Sequence, residues 1–121
     1  MVQLRPHLDT FVAQVARQRK EGYQLAYVEE RGAVRALAGF RVQEMLFRGR
    51  HIYVDDLITD ATERSKGHGD LLFDWLVEHA RTLGCNGLDL DSGVRRGAAH
   101  RFYFRKRMII SSYHFTLKLE E

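Results

Sequence analysis

Arg64-Ser65-Lys66-Gly67-His68-Gly69 lies between an extended run ending near Thr59 and an amphipathic stretch that begins at once with Leu71. That is the layout of a strand, a glycine loop and a helix N-terminus, which presents backbone N–H groups and the positive end of a helix dipole to an anion such as a phosphate. Gly67 and Gly69 let the chain turn with φ > 0 and let a phosphate oxygen come close to the backbone, while Arg64 and Lys66 add mobile positive charge. The spacing Arg-x-x-Gly-x-Gly is neither that of a P-loop nor that of the dinucleotide fingerprint. A plain loop explains two glycines before a helix as readily as a ligand does, so the flanking elements carry the decision.

Downstream, Leu71, Leu72, Trp75, Leu76, His79, Ala80 and Leu83 form a wide apolar stripe at helical spacing, and Gly84 ends it. Upstream, His51 to Thr59 alternates as a strand, with Ile52, Val54, Asp56 and Ile58 on one face and Tyr53, Asp55 and Leu57 on the other. Two further strands precede it: 23–29, with Tyr23, Leu25 and Tyr27 on one face, and 33–42, where Val34, Ala36, Ala38, Phe40 and Val42 alternate with Arg35 and Arg41. Glu30-Arg31-Gly32 between them is a hairpin signal. A first helix is capped by Asp9 or Thr10 and ends in Arg17, Arg19 and Lys20 before Gly22. After the central helix come a short strand over 87–91, a helix over 98–107 and a long final strand, in which Ile109, Ser111, Tyr113, Phe115, Leu117 and Leu119 share a face. The order predicts a mixed, mostly antiparallel α+β sheet flanked by helices, built as a single domain over residues 1–121.

At 121 residues the chain has room for one core and not for two. Its 45% hydrophobic and 29% charged residues are ordinary for a globular protein. No apolar run approaches a membrane span and the first residues lack the apolar centre of a secretory signal, so a cytoplasmic location without membrane contact is expected. The single cysteine, Cys85, has no partner for an internal disulfide and no clustered ligands of metal-site spacing, so no metal is expected. The net charge of +3 includes a cluster from Arg95 to Arg107. No aromatic stacking platform accompanies it, so a nucleic-acid partner ranks below a solvated helix face or charges near an anionic ligand.

Asp55 and Asp56 stand among apolar positions of a mid-sheet strand, where a carboxylate is costly unless it is paired, hydrogen-bonded or facing a wet cleft. A salt bridge to the late arginine cluster and a functional role both fit, and alternation aims only one of the two at any given site.

The order of elements, Arg64-x-x-Gly67-x-Gly69 after a strand, and Ala98-x-x-x-Phe102-Tyr103 on a later helix resemble the Gcn5-related N-acetyltransferases, whose loop has the form Gln/Arg-x-x-Gly-x-Gly/Ala. The resemblance runs from about residue 9 to about residue 119. It implies an acyl-CoA N-acyltransferase-like fold with a shortened N-terminus, and acetyl-CoA as co-substrate, its pyrophosphate held on the backbone of Arg64, Ser65, Lys66, Gly67, His68, Gly69 and Asp70. It further implies that Leu57, Ile58 and Thr59 pair with the pantetheine arm as an added strand would, and that Tyr103 is the general acid toward the coenzyme A sulfur. Asp55 or Asp56 falls where the family often places a general base or substrate-binding carboxylate. Ser92, at the end of the fourth strand, is a candidate contact to the cofactor, with a turn serine as the plainer reading. Where the family helix commonly runs Phe-Tyr-x-Lys-x-Gly-Phe, this chain has Phe102-Tyr103-Phe104-Arg105-Lys106-Arg107-Met108, without the glycine.

The expected activity is therefore transfer of an acetyl group to a primary amine, either a small molecule or a lysine side chain, by direct attack in a ternary complex. One alternative is a non-catalytic acyl-CoA-binding relative acting as a sensor or assembly partner; another is a basic nucleic-acid-binding module. The short N-terminus leaves open a partner chain, and so a homodimer, that covers an exposed sheet edge.

Overall fold

The computed structural model describes residues 8–59 and 67–119, and the side chains among these from residue 12 onward. Arg64, Ser65 and Lys66 thus lie outside the described residues. The chain divides into two compact units, Met1–Leu90 and Asp91–Glu121.

The first unit contains α1 (Leu8–Lys20), β1 (Gln24–Glu30), β2 (Ala33–Met45), β3 (Gly49–Thr59), α2 (His68–Thr82) and β4 (Gly87–Leu90). The strands form one sheet in the order β1-β2-β3-β4, antiparallel except for the parallel pair β3 and β4. This is the mixed, mostly antiparallel α+β architecture expected. The β1–β2 hairpin closes through Arg31 and Gly32 at φ 55° and 76°, a two-residue turn with both central residues left-handed, which matches the twist of the flanking strands. Helix α2 ends in a Schellman motif: Gly84 takes φ 72°, its N–H bonds the carbonyl of Arg81, and the N–H of Cys85 bonds that of Ala80.

The core joins one face of the sheet to α2 through Ala36, Ala38, Phe40, Ile52, Val54, Leu72, Leu76 and Ala80. Burying each large member of this set contributes roughly 1.5–3 kcal/mol. Within the expected stripe of α2, Leu72, Leu76 and Ala80 are buried together with Phe73, whereas Leu71 is 61% exposed. Trp75 stacks on the ring of His79 at 4.6 Å between centroids, and both rings meet Phe40 edge-on.

In β1 Leu25 and Tyr27 share a face, and it is the exposed one, with Ala26 and Val28 packed on the core; Tyr23 is buried but precedes the strand. One strand-face expectation is corrected. In β3 the register jumps, because Gly39 pairs with Asp56 and Phe40 with Val54. Asp55 is the extra residue of a β-bulge, and a bulge resets the alternation beyond it. Leu57, not Ile58, therefore joins Ile52 and Val54 on the core.

The second unit contains α3 (Gly97–Arg105). It too closes with a Schellman arrangement, in which Arg107 at φ 68° donates to the carbonyl of Phe104 and Met108 to that of Tyr103. Here an arginine occupies the left-handed position that glycine usually fills. The expected final strand over 109–119 does not form among the described residues. Its alternation is present in the sequence, yet no ladder satisfies its backbone, and its apolar side chains lie open, Phe115 at 91% exposure and Leu119 at 93%. Period-two patterning states which face a strand would bury, and a strand needs a partner to exist.

Candidate active site

Of the expected anion loop, Gly67, His68, Gly69 and Asp70 are described. Gly67 is the N-cap of α2 in the left-handed conformation (φ 80°, ψ 11°), its carbonyl accepts the first helical bond, from Leu71 N–H, and among the described residues no side-chain cap bond closes the helix. The opening N–H groups of a helix have no partner within it, so this end suits an anion. The glycine requirement is met at Gly67, since a Cβ there would meet no atom but would strain the backbone. Gly69 instead lies in the first turn of α2 with helical geometry.

The side chain of His68, expected only to lend a backbone amide, is buried, with Nε2 3.5 Å from Glu30 Oε1 and Nδ1 without a hydrogen-bond partner among the described residues. It ties the head of α2 to the end of β1. Sequence spacing gave no sign of this contact, because the two residues come from distant elements.

Leu57, Ile58 and Thr59 pair on one side with Ala38, Leu37 and Ala36 of β2. On the other side β4 pairs only with His51 through Val54. From Asp55 onward no strand among the described residues occupies that edge of β3. An extended ligand on that edge would bind as an added strand does.

The two carboxylates were expected on opposite faces, with the late arginine cluster as the source of any salt bridge. The bulge at Asp55 instead brings both to one group formed by Tyr23 and Arg41. Arg41 Nε lies 3.1 Å from Asp55 Oδ2 and 3.3 Å from Oδ1, and its guanidinium sits over the Tyr23 ring at 5.6 Å. The Tyr23 hydroxyl donates to Asp56 Oδ2 at 2.6 Å. Burial pushes the Tyr23 phenol well above its ordinary range, and the hydrogen bond to Asp56 with the charges of Asp56 and Asp55 pushes further, against a smaller opposing pull from Arg41. Burial also raises the Asp55 carboxyl, more than Arg41 lowers it. Sequence reasoning missed Tyr23 and Arg41 as members of the site. The available signal was Gly39, an isolated glycine inside a strand, which marks a bulge or a close approach; a Cβ on Gly39 would overlap the Tyr23 phenol.

In the second unit, Tyr103 is half-buried on α3, with its ring edge-on to Phe102 at 5.8 Å. Burial raises its phenol, opposed by the charge of Arg96. The phenol thus holds its proton at neutral pH, as a general acid must before it acts. His100 of the same helix bonds the Gly93 carbonyl through Nε2 at 2.8 Å, which binds the 93–97 turn to α3. Ser92 Oγ is buried without a hydrogen-bond partner among the described residues, an expensive condition unless a ligand satisfies it.

A family model described as the acetyltransferase (GNAT) family matches residues 3–108. The chain is 40% identical over 119 residues to a protein of Bacillus subtilis (strain 168) named "Uncharacterized N-acetyltransferase YhdJ", across 95% of this chain and 84% of that one. Among solved structures, a putative acetyltransferase from Agrobacterium tumefaciens str. C58 superposes with a TM-score of 0.80 at 19% identity, covering 97% of this chain and 87% of that one. Glucosamine-6-phosphate N-acetyltransferase from Arabidopsis thaliana does so with a TM-score of 0.74 at 21% identity, covering 93% and 78%. At those identities the two structures show a shared fold.

Proposed function

The chain belongs to the acetyltransferase (GNAT) family and is an acyltransferase; from that premise we propose that it moves an acetyl group from acetyl-CoA to a primary amine by direct attack in a ternary complex. The observation that carries this reading is the N-terminus of α2, where left-handed Gly67 opens the helix and no side chain among the described residues caps it. The backbone N–H groups of His68, Gly69 and Asp70 hold the pyrophosphate, joined by Arg64, Ser65 and Lys66 of the same sequence motif. The edge of Leu57, Ile58 and Thr59 orients the pantetheine arm, and the orphaned Ser92 hydroxyl is a candidate contact to the cofactor. Acetyl-CoA supplies the activated thioester.

Tyr103 keeps its proton until sulfur departs and then donates it from Oη, while Asp55 or Asp56 accepts the proton that the attacking amine loses. The acidic pair on β3 favours a cationic acceptor, such as a polyamine, an aminoglycoside or a lysine side chain. No helix among the described residues is long and apolar enough to cross a membrane, and the proposed site of action is the cytoplasm. The family match runs across the boundary at Leu90, which supports reading residues 1–121 as one acetyltransferase domain.

Release of free thiol from acetyl-CoA in the presence of these amines tests the proposal. Tyr103→Phe should lower kcat by about a hundredfold, the usual scale for removing a general acid, with acetyl-CoA affinity retained. Undiminished turnover with unchanged affinity would remove Tyr103 from the mechanism.

A further inference from the structure

Residues 91–121 hold seven of the chain's 19 Lys and Arg but three of its 16 Asp and Glu, whereas the first ninety residues hold twelve and thirteen. The excess of positive charge therefore belongs to the second unit, where it is concentrated between Arg95 and Arg107. The sequence pattern gives no aromatic platform beside this cluster. The structure exposes aromatic rings in the same unit: Phe104 at 53% on α3, and Tyr113 and Phe115 at 83% and 91% on the segment that follows.

We propose that the second unit binds single-stranded nucleic acid, with phosphates on its arginines and bases stacked on its exposed aromatic rings. This goes beyond the acetyltransferase reading and does not depend on it.

Positive charge alone attracts any polyanion, so the partner is chosen by what accompanies the charge. On α3, Arg101, Phe104 and Arg105 are all exposed, and positions i, i+3 and i+4 are neighbours on a helix surface. An aromatic ring beside two guanidinium groups matches a nucleotide strand, in which each base stands beside phosphates. The Arg105 guanidinium and the Lys106 ammonium also lie 5.3 Å and 5.7 Å from the centre of the Phe102 ring, contacts that direct both cations. Neither the basic turn nor the aromatic segment hangs loose. His100 Nε2 bonds the Gly93 carbonyl at 2.8 Å, which ties the turn bearing Arg95 and Arg96 to α3. His114 Nδ1 lies 3.4 Å from Asp91 Oδ1, and this contact fastens the segment between Tyr113 and Phe115 to the start of the unit. Groups held before binding lose less freedom on binding. Exposed rings select unpaired bases, whose faces are open to stacking, over a duplex, whose bases already stack on one another. An acidic peptide would engage the arginines and leave the rings in water.

Fluorescence anisotropy of a labelled twelve-nucleotide oligothymidylate, titrated with the full chain, tests the proposal. With about four phosphates engaged, the slope of log K against log salt should be about −3, a loss of about fiftyfold between 50 and 200 mM KCl. Phe115→Ala should weaken binding at least about fivefold at fixed salt, the scale of one lost stacking contact. Arg101→Gln combined with Arg105→Gln should flatten the salt slope to about half. At 150 mM KCl the oligothymidylate–oligoadenylate duplex and a poly-glutamate of equal charge should each bind at least about fivefold more weakly than the single strand. No binding at 50 mM KCl, equal affinity for the duplex or for poly-glutamate, or undiminished binding by Phe115→Ala would overturn the proposal. Displacement of the oligonucleotide by saturating coenzyme A would overturn it too, because the arginines would then belong to the cofactor site. Should the arginine variant fail to fold, the exposed Phe115 still decides, and acetyl transfer, read separately, judges the acetyltransferase reading on its own.

Discussion

Gly39→Ala is the substitution that most sharply probes how the acidic site is built. In an ordinary strand interior this change is favourable by about 0.5–1 kcal/mol, because alanine loses less backbone freedom on folding. Here the added methyl group would occupy the space of the Tyr23 phenol, and one of them has to move. The backbone of Gly39 is fixed by its pairing with both β1 and β3, so the ring gives way. Displacing it breaks a buried hydrogen bond to a carboxylate, at about 1.5–3 kcal/mol, and disturbs the packing of a buried side chain, at about 1–3 kcal/mol. The net expectation is a loss of about 2–5 kcal/mol. Urea unfolding should show it as a midpoint lower by about 1 M or more with an unchanged slope. Tyr23→Ala removes the obstacle, so Gly39→Ala on that background should be neutral or slightly stabilising, giving a coupling of at least about 1.5 kcal/mol in the double-mutant cycle. Full stability of the Gly39→Ala single variant, or strictly additive effects, would refute the close approach of Tyr23.

Arg107→Gly should stabilise the chain by about 0.5–1 kcal/mol, since relief of a left-handed non-glycine residue, at roughly 1–2 kcal/mol, exceeds the extra freedom glycine gives the unfolded state; a lower denaturation midpoint would contradict the Schellman closure of α3. Alkaline stability follows from the two raised phenols. Tyr23 and Tyr103 both titrate above their ordinary value of 10.0 in the folded chain, so the folded state holds protons that the unfolded state has released. Their contribution is intact below pH 10 and declines as pH rises beyond it toward the folded values. Tyr23→Phe should flatten that decline, and an unaltered slope of stability against pH above 10 would place the Tyr23 phenol in solvent.

The parts of the fold that were legible in the sequence are those governed by neighbours in the chain. Arg31-Gly32 specifies its turn through local backbone preference, and Gly84 its helix stop, whatever surrounds them. The stripe of α2 was read correctly at Leu72, Leu76 and Ala80 and missed Phe73, which is buried without belonging to the cluster on the sheet. What depends on pairing was not legible. A bulge costs nothing in composition, so Asp55 and Asp56 read as opposite-facing until the ladder showed the skipped register. The alternation from Ile109 to Leu119 is a statement about a face, and without a partner strand it yields no strand. The expected anion loop was read from its two glycines, of which only Gly67 uses left-handed geometry, and the buried His68–Glu30 contact joins residues that no local pattern connects.

The proposal stands on a diphosphate received by the head of α2. Thermal unfolding with acetyl-CoA, and with acetyl-pantetheine that has the same thioester arm but no diphosphate, isolates that contact. At about a hundredfold excess over Kd, acetyl-CoA should stabilise the chain by roughly 2.7 kcal/mol, and acetyl-pantetheine at the same concentration should give a small fraction of that shift. Equal shifts from both ligands, or none from acetyl-CoA, would contradict the account.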